Sequence, residues 1–119
     1  MDADNWMRVF ALTALTGLAD TYNNGLAHNI ELYVRPSDQK VLLFPWDQDH
    51  TFYLSTSSSI FGAGSHRLGA IINLPQNRRL FGGHLRHLCQ TAFTSAHLDP
   101  IINHLSSSIV ADRASYATT

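Results

Sequence analysis

Hydrophobic positions recur at helical spacing near the start of the chain. Asp4 precedes this stretch, and Asp is a favourable residue at the N-cap of a helix. The spacing predicts an amphipathic helix over residues 5–19, with Asp4 capping its first turn. The apolar positions that define it are three or four residues apart and comprise Trp6, Val9, Phe10, Ala14 and Leu18.

A different pattern begins after a loop rich in Asn and Gly over residues 21–28. Apolar and polar residues alternate in NIELYV, residues 29–34, and KVLLFPW, residues 40–46, is almost continuously apolar. RPSDQ, residues 35–39, lies between these two runs and has the composition of a tight turn. The pattern predicts a β-hairpin whose second strand leads directly to Asp47.

The second half of the chain begins with irregular sequence and then returns to helical spacing. Residues 51–77 are rich in Ser and Gly and predict mostly irregular structure, with a short helix at residues 67–73. A helix is predicted at residues 78–94, and another begins with Asp99 as N-cap and Pro100 at its first position. The stripe expected to be buried on this last helix comprises Ile101, Ile102, Leu105 and Ile109.

These elements predict an α+β fold, mostly helical, with one β-hairpin. The length of 119 residues corresponds to one domain or part of one. We therefore interpret residues 1–119 as a single partial domain. An amphipathic helix begins almost at once and no nucleotide-binding glycine loop precedes it, which suggests that the chain is part of a longer protein.

Composition and charge argue against two classes of partner. Charged residues make up 14% of the chain and the formal net charge is -1, so no basic field is available to bind nucleic acid. Apolar runs such as VLLFPW are far shorter than the roughly 20 residues that a membrane span needs. The single cysteine, Cys89, excludes an internal disulfide framework.

Two carboxylates at the end of the predicted hairpin are the first candidates for chemistry. In a strand, Asp47 and Asp49 would point the same way, and the two anions would repel each other. A hard divalent cation such as Mg²⁺ or Mn²⁺ resolves that repulsion with oxygen ligands. The alternative is a solvated turn, where Asp is common. Trp46, beside a proline at the strand end, is expected in the core.

Histidines provide a second set of candidates. His84 and His87 could share one face of a helix as zinc ligands. Cys89 points to another side and a complete ligand spacing is lacking, which favours an ordinary pair of helix histidines. His28 is expected either to anchor its loop by a hydrogen bond or to be a solvated loop residue.

Three segments together resemble the spore coat protein H (CotH) kinase family. The central block is the specific part, with His28 and Asn29 leading into the first strand and LLFPWDQDHTF, residues 42–52, at the end of the second. The later helices, which include RRLFGGHLRHL, are similar in pattern only. The resemblance covers residues 5–110 and implies a fold like the C-terminal lobe of a protein kinase.

The resemblance implies a role for each polar residue of the block. Asp47 matches the metal-binding Asp that follows the hairpin, and Asn29 matches the metal-binding Asn that precedes it. Asp49 would be a second ligand or an acceptor that keeps the site rigid. Asp20, the one carboxylate between residues 5 and 28, would be the catalytic base, although its spacing from Asn29 exceeds the about four residues of ordinary protein kinases. The implied cofactors are Mg²⁺ or Mn²⁺ and ATP.

The chain departs from a complete kinase because the glycine-rich loop and the strand lysine are not found. The expected function is therefore an ATP- and metal-dependent phosphotransferase acting on Ser or Thr of a coat or surface protein, present here without its N-terminal lobe and inactive alone. By resemblance it would be extracellular, in a spore coat or in the cell envelope. The alternative is a non-catalytic interaction module, and a sugar-nucleotide transferase using Asp47 and Asp49 ranks last because no βαβ pattern is present.

Overall fold

A computed structural model describes residues 1–26, 28–62 and 69–116 of the chain. In this part the fold is α+β, about half helical, with three α-helices and one antiparallel pair of strands. Two compact units divide the chain, Met1–Arg86 and His87–Thr119. The α+β class predicted from the sequence is confirmed, whereas the single partial domain over residues 1–119 stays a prediction.

Helix α1 spans Ala3–Leu15, so it begins and ends earlier than predicted. Asp2, not Asp4, is its N-cap and accepts a hydrogen bond from the backbone N–H of Asn5 at 3.2 Å. At the other end Gly17 adopts a left-handed φ of 58°, and the N–H of Leu18 donates to the carbonyl of Thr13 at 3.1 Å. This arrangement is a Schellman cap, which terminates the helix before residue 19.

The predicted hairpin is confirmed. Strand β1, Ile30–Val34, pairs antiparallel with strand β2, Val41–Pro45, in a register that places Ile30 opposite Pro45 and Val34 opposite Val41. An isolated two-stranded sheet is marginal in water, so the hairpin depends on what it packs against.

Helix α1 provides that support for β2. The amide of Asn5 accepts a hydrogen bond from the N–H of Leu43 at 2.7 Å, and the indole N–H of Trp6 donates to the carbonyl of Val41 at 3.0 Å. Leu43 is fully buried. The core of the first unit consists of Trp6, Met7, Val9, Phe10, Ala11, Leu18, Leu43, Ile72 and Phe81.

Residues 51–62 are irregular, as expected for the first part of the predicted irregular segment. Turns and bends occupy residues 51–61, and a 3₁₀ turn at Gly69–Asn73 overlaps the predicted short helix, of which residues 67 and 68 lie outside the described part. Helix α2 spans Pro75–Gln90 and so begins and ends before the predicted 78–94. Pro75 occupies the first helical position, where its missing N–H costs no hydrogen bond.

Helix α3 spans Ser95–Tyr116, and the predicted start at Pro100 is wrong. Thr94 caps the N-terminus of the helix, because its hydroxyl accepts from the N–H of His97 at 3.3 Å and its carbonyl accepts from the N–H of Leu98 at 2.8 Å. Asp99 and Pro100 therefore lie inside the helix. The predicted buried stripe is exposed, with exposed fractions of 46% for Ile101 and 57% for Ile109.

No helix in the described part of the chain combines the length and the apolar character that a transmembrane helix requires.

Candidate functional site

The open end of the hairpin brings Asn29 close to Asp47. Beyond the last strand pair, the N–H of Trp46 donates to the carbonyl of Asn29 at 3.2 Å, so Asn29 lies opposite Trp46 and Asp47 is the next residue. Asn29 and Asp47 both have left-handed backbones, with φ of 58° and 48°. Asn and Asp adopt this conformation more readily than other non-glycine residues, so regular pairing ends here without a glycine.

Asp20 accepts hydrogen bonds from the same end of the hairpin. The amide nitrogen of Asn29 lies 3.0 Å from Oδ2 of Asp20 and 2.9 Å from its backbone carbonyl. The Nε2 atom of His28 lies 2.9 Å from the other carboxylate oxygen, Oδ1. His28 and Asn29 thus both contact the carboxylate of Asp20, and all three residues were singled out from the sequence. The contact also fits the loop-anchoring role considered for His28.

The loop that joins Asp20 to His28 is shaped by its own hydrogen bonds. A 3₁₀ turn spans Tyr22–Asn24, and Gly25 follows in a left-handed conformation with φ of 93°. The amide of Asn24 donates to the carbonyl of Leu18 at 2.6 Å. These bonds fold the chain back, so residues far apart in the loop can meet.

The orientation of the Asn29 amide follows from its neighbours. Both groups near its nitrogen are oxygens that accept hydrogen bonds, so the NH₂ group must face Asp20. Its carbonyl oxygen, Oδ1, receives no hydrogen bond from the described residues. Amide oxygen is a suitable ligand for Mg²⁺ or Mn²⁺, so Asn29 can hold Asp20 and bind a cation at once.

Asp47 and Asp49 do not lie in a strand, contrary to the geometry first considered for them. Strand β2 ends at Pro45, and the positive φ of Asp47 interrupts the extended backbone. Both side chains are exposed, and no described residue forms a hydrogen bond or an ion pair with either carboxylate. Their arrangement is therefore that of a solvated turn placed next to Asn29.

No metal centre is assembled in the described part of the chain by His, Cys, Asp or Glu side chains, because no three of them cluster closely enough to hold an ion. His84, one of the residues considered for zinc, instead has Nε2 at 2.8 Å from Oδ1 of Asp4, and Arg8 holds the other oxygen of Asp4 at 2.9 Å. Cys89 is exposed. His84 on α2 thus forms a hydrogen bond with Asp4 on α1.

Exposed aromatic side chains adjoin this end of the hairpin. Trp46 is 60% exposed, so its expected place in the core is wrong. Phe52 and Tyr53 are 78% and 73% exposed, and Tyr53 stacks on His50 with ring centroids 5.5 Å apart. The spacing of apolar residues did not predict that these aromatic side chains are exposed, because an aromatic residue in a loop or at a strand end is buried or exposed according to what packs on it.

A cavity of about 340 Å³ lies between the end of α1 and the irregular segment after the hairpin. Its described lining holds no charged side chain, so it lacks the cations that bind phosphate groups. The residues with polar side chains in its described lining are Asn24, Thr16, Ser55, Thr56, Ser58 and Ser59.

Comparisons of the chain with protein-family models, with curated proteins and with solved structures gave no match.

Proposed function

We propose that the chain is the metal-holding part of an ATP- and metal-dependent phosphotransferase of the spore coat protein H kinase type, with a kinase-like lobe fold. One observation carries the proposal. The amide nitrogen of Asn29 is engaged by Asp20, which directs the amide oxygen away, and Asp47 follows the residue paired with Asn29. A candidate base and two oxygen ligands therefore come from one small region.

Phosphoryl transfer needs these parts in proximity. When bound, the cation neutralises the charge that develops on the transferred phosphoryl group. Asn29 and Asp47 would hold that cation, with Asp49 as a further ligand or as a hydrogen-bond acceptor. Asp20 would accept the proton of the incoming Ser or Thr hydroxyl of a coat or surface protein.

The part of the enzyme that covers ATP would belong to a separate lobe. Nucleotide positioning supplies a large share of catalysis, so the present chain alone should transfer phosphate slowly. Exposed Asp47 and Asp49 suit a site that is completed by a cation and a nucleotide. As part of the same proposal, the protein would be secreted or located in the cell envelope.

Titration of the chain with Mg²⁺ or Mn²⁺, with and without ATP, tests the proposal by binding heat. Asp47→Asn should weaken cation binding roughly 10–100-fold, since even the loss of an outer partner of a metal ligand has effects of that size. Asp99→Asn is the matched control, because it removes one exposed carboxylate from α3 and should leave the affinity unchanged.

Equal affinities in the original chain and in Asp47→Asn would contradict the assignment of Asp47. If neither protein binds a cation, the same pair is compared in a longer chain that contains the nucleotide-covering lobe. Equal cation affinities of the longer chain with and without Asp47→Asn would contradict the phosphotransferase proposal.

A second candidate function is a non-catalytic interaction module. It is favoured by the exposure of Asp47 and Asp49, because solvated carboxylates bear no desolvation cost that a cation must offset. If the chain is an interaction module, Asp47→Asn should change neither cation affinity nor partner binding. A sugar-nucleotide transferase remains the least supported, since the described strands form one antiparallel pair and no βαβ unit.

A further inference from the structure

We propose that His28 is a positioning residue that fixes the carboxylate of Asp20 together with Asn29. This inference rests on the proposed phosphotransfer site and names a residue that acts there without touching the substrate. Its basis is the arrangement of donors. His28 approaches Oδ1 of Asp20 at 2.9 Å, while Asn29 approaches Oδ2 at 3.0 Å.

Holding both oxygens has a mechanical consequence for Asp20. The terminal torsion of an Asp side chain has broad minima, so a carboxylate held at one oxygen can still rotate. Donors at both oxygens oppose that rotation. Each carboxylate oxygen has about two acceptor positions, so one position on each oxygen stays available for a substrate hydroxyl.

The backbone of Asn29 explains how two consecutive residues reach one carboxylate. In an extended chain, neighbouring side chains point to opposite faces. The left-handed φ of 58° at Asn29 breaks this alternation immediately before β1 begins. His28 and Asn29 therefore converge on Asp20, which lies nine residues before Asn29.

The contact also determines which nitrogen of His28 carries hydrogen. Carboxylate oxygens accept hydrogen bonds, so Nε2 must be the donor in the 2.9 Å contact. The His28 side chain is 51% exposed, whereas that of Asp20 is 26% exposed. His28 thus covers one side of the carboxylate and leaves part of it open to solvent and to a substrate.

Hydrogen exchange of the Asn29 side-chain amide, followed by NMR, tests the role of His28. In His28→Ala the carboxylate gains rotational freedom, and exchange should become about fivefold faster, the ratio expected for the loss of one ordinary hydrogen bond. His28→Gln places an amide donor near the position of Nε2 and should restore slow exchange. His104→Ala, which removes an exposed histidine from α3, should leave exchange unchanged.

Unchanged exchange in His28→Ala would overturn the proposal, as would a failure of Gln to restore it in a folded protein. A measurement on the original chain serves if His28→Ala does not fold. A long-range ¹H–¹⁵N spectrum should show hydrogen on Nε2 of His28, the atom in contact with Asp20. Hydrogen on Nδ1 alone would overturn the proposal.

Neither readout needs a cation or a nucleotide, so the two proposals can fail separately. A failed cation titration in the longer chain, together with the expected exchange pattern, would overturn the phosphotransferase and leave His28 as a holder of Asp20. Cation binding that depends on Asp47, together with unchanged exchange in His28→Ala, would overturn the role of His28 alone.

Discussion

Arg35 joins the turn of the hairpin to the start of α1. Its guanidinium donates to Asp38 at 2.8 and 2.6 Å and to Asp2, the N-cap of α1, at 2.9 Å. Hydrogen bonding by Arg35 holds the pKa of Asp38 well below its usual range. The pKa of Asp2 is also lowered, first by the backbone N–H of Asn5 and then by Arg35. These carboxylates therefore favour folding in their charged form.

The lowered pKa values predict a loss of stability in acid. A carboxyl group with a lower pKa in the folded state contributes stability above its unfolded pKa, and this contribution is lost as the pH falls through the folded value. This loss of stability begins as the pH falls to about 4, the ordinary pKa of Asp. We expect Asp38→Asn to melt at a lower temperature than the original chain at neutral pH. Its melting temperature should also fall less than that of the original chain as the pH is lowered.

Thermal melting between about pH 7 and pH 2.5 measures this difference, because it spans the titration of Asp. Glu31→Gln is the matched control, since it removes an exposed carboxylate of β1 that has no ion pair with a described residue. Parallel melting curves for Asp38→Asn and the original chain across the acid range would contradict the role of the Arg35 network.

The candidate site shows what can be predicted from single residues. Asp47 was singled out from its place after an apolar run, whereas Asn29 and Asp20 were assigned from the family resemblance, and the structure brings Asn29 to Asp20. For His28 the sequence left open a loop-anchoring hydrogen bond or a solvated position, and it did not indicate Asp20 as the partner, because that contact depends on the path of the loop between them. A loop closed by side-chain and backbone hydrogen bonds leaves no periodic signal in the sequence.

At the scale of the helix, two glycines have opposite roles. Gly17 ends α1 with φ of 58°, and a Cβ there would meet Leu54 at 3.7 Å, an ordinary contact, so backbone strain decides the outcome. Gly82 lies within α2, and nothing approaches the position of its Cβ within 4 Å. One glycine is needed for its conformation, whereas the other weakens its helix.

Substitution by alanine should therefore change stability in opposite directions at the two sites. Gly17→Ala should lower the free energy of unfolding by about 1–2 kcal/mol, because an L-residue in the left-handed region is strained. Gly82→Ala should raise it by about 1 kcal/mol, the difference in helix propensity. Urea unfolding followed by fluorescence measures both, with each variant as the other's control. A change of the same sign in both would refute the argument.

At the scale of the whole molecule, exposed apolar side chains are the main unexplained feature. The stripe on α3 is exposed, with Ile102 and Leu105 at 53% and 54%, and the hairpin exposes Leu32 at 58%. Large exposed apolar patches are typical of surfaces that bind other proteins or that aggregate. The exposed stripe of α3 therefore predicts association of the chain with another apolar surface.

We predict that the chain by itself associates as its concentration rises, and sedimentation velocity measures this. Replacing Ile102 and Ile109 together by Glu should shift the distribution toward monomer, because the charges oppose burial of the α3 stripe. Ser106→Glu is the control, since it adds a charge to α3 without removing an apolar side chain. A monomeric original chain at every concentration would count against a missing partner surface.

The sequence by itself determined the elements that depend on local periodicity. Alternation in the first strand, an apolar run in the second and turn residues between them predicted the hairpin. Spacing of three or four predicted α1 and α2, because this period follows from the geometry of one helix, and an N-cap signal with an apolar stripe predicted a helix within α3. The cap that ends α1 and the cap at the start of α3 come from hydrogen bonds between residues three to five positions apart, which apolar spacing does not reveal. The tertiary structure decided whether Trp46 is buried and that His28 and Asn29 meet Asp20. These two outcomes depend on the path of the loops and on what packs against each side chain, which leave no periodic signal in the sequence.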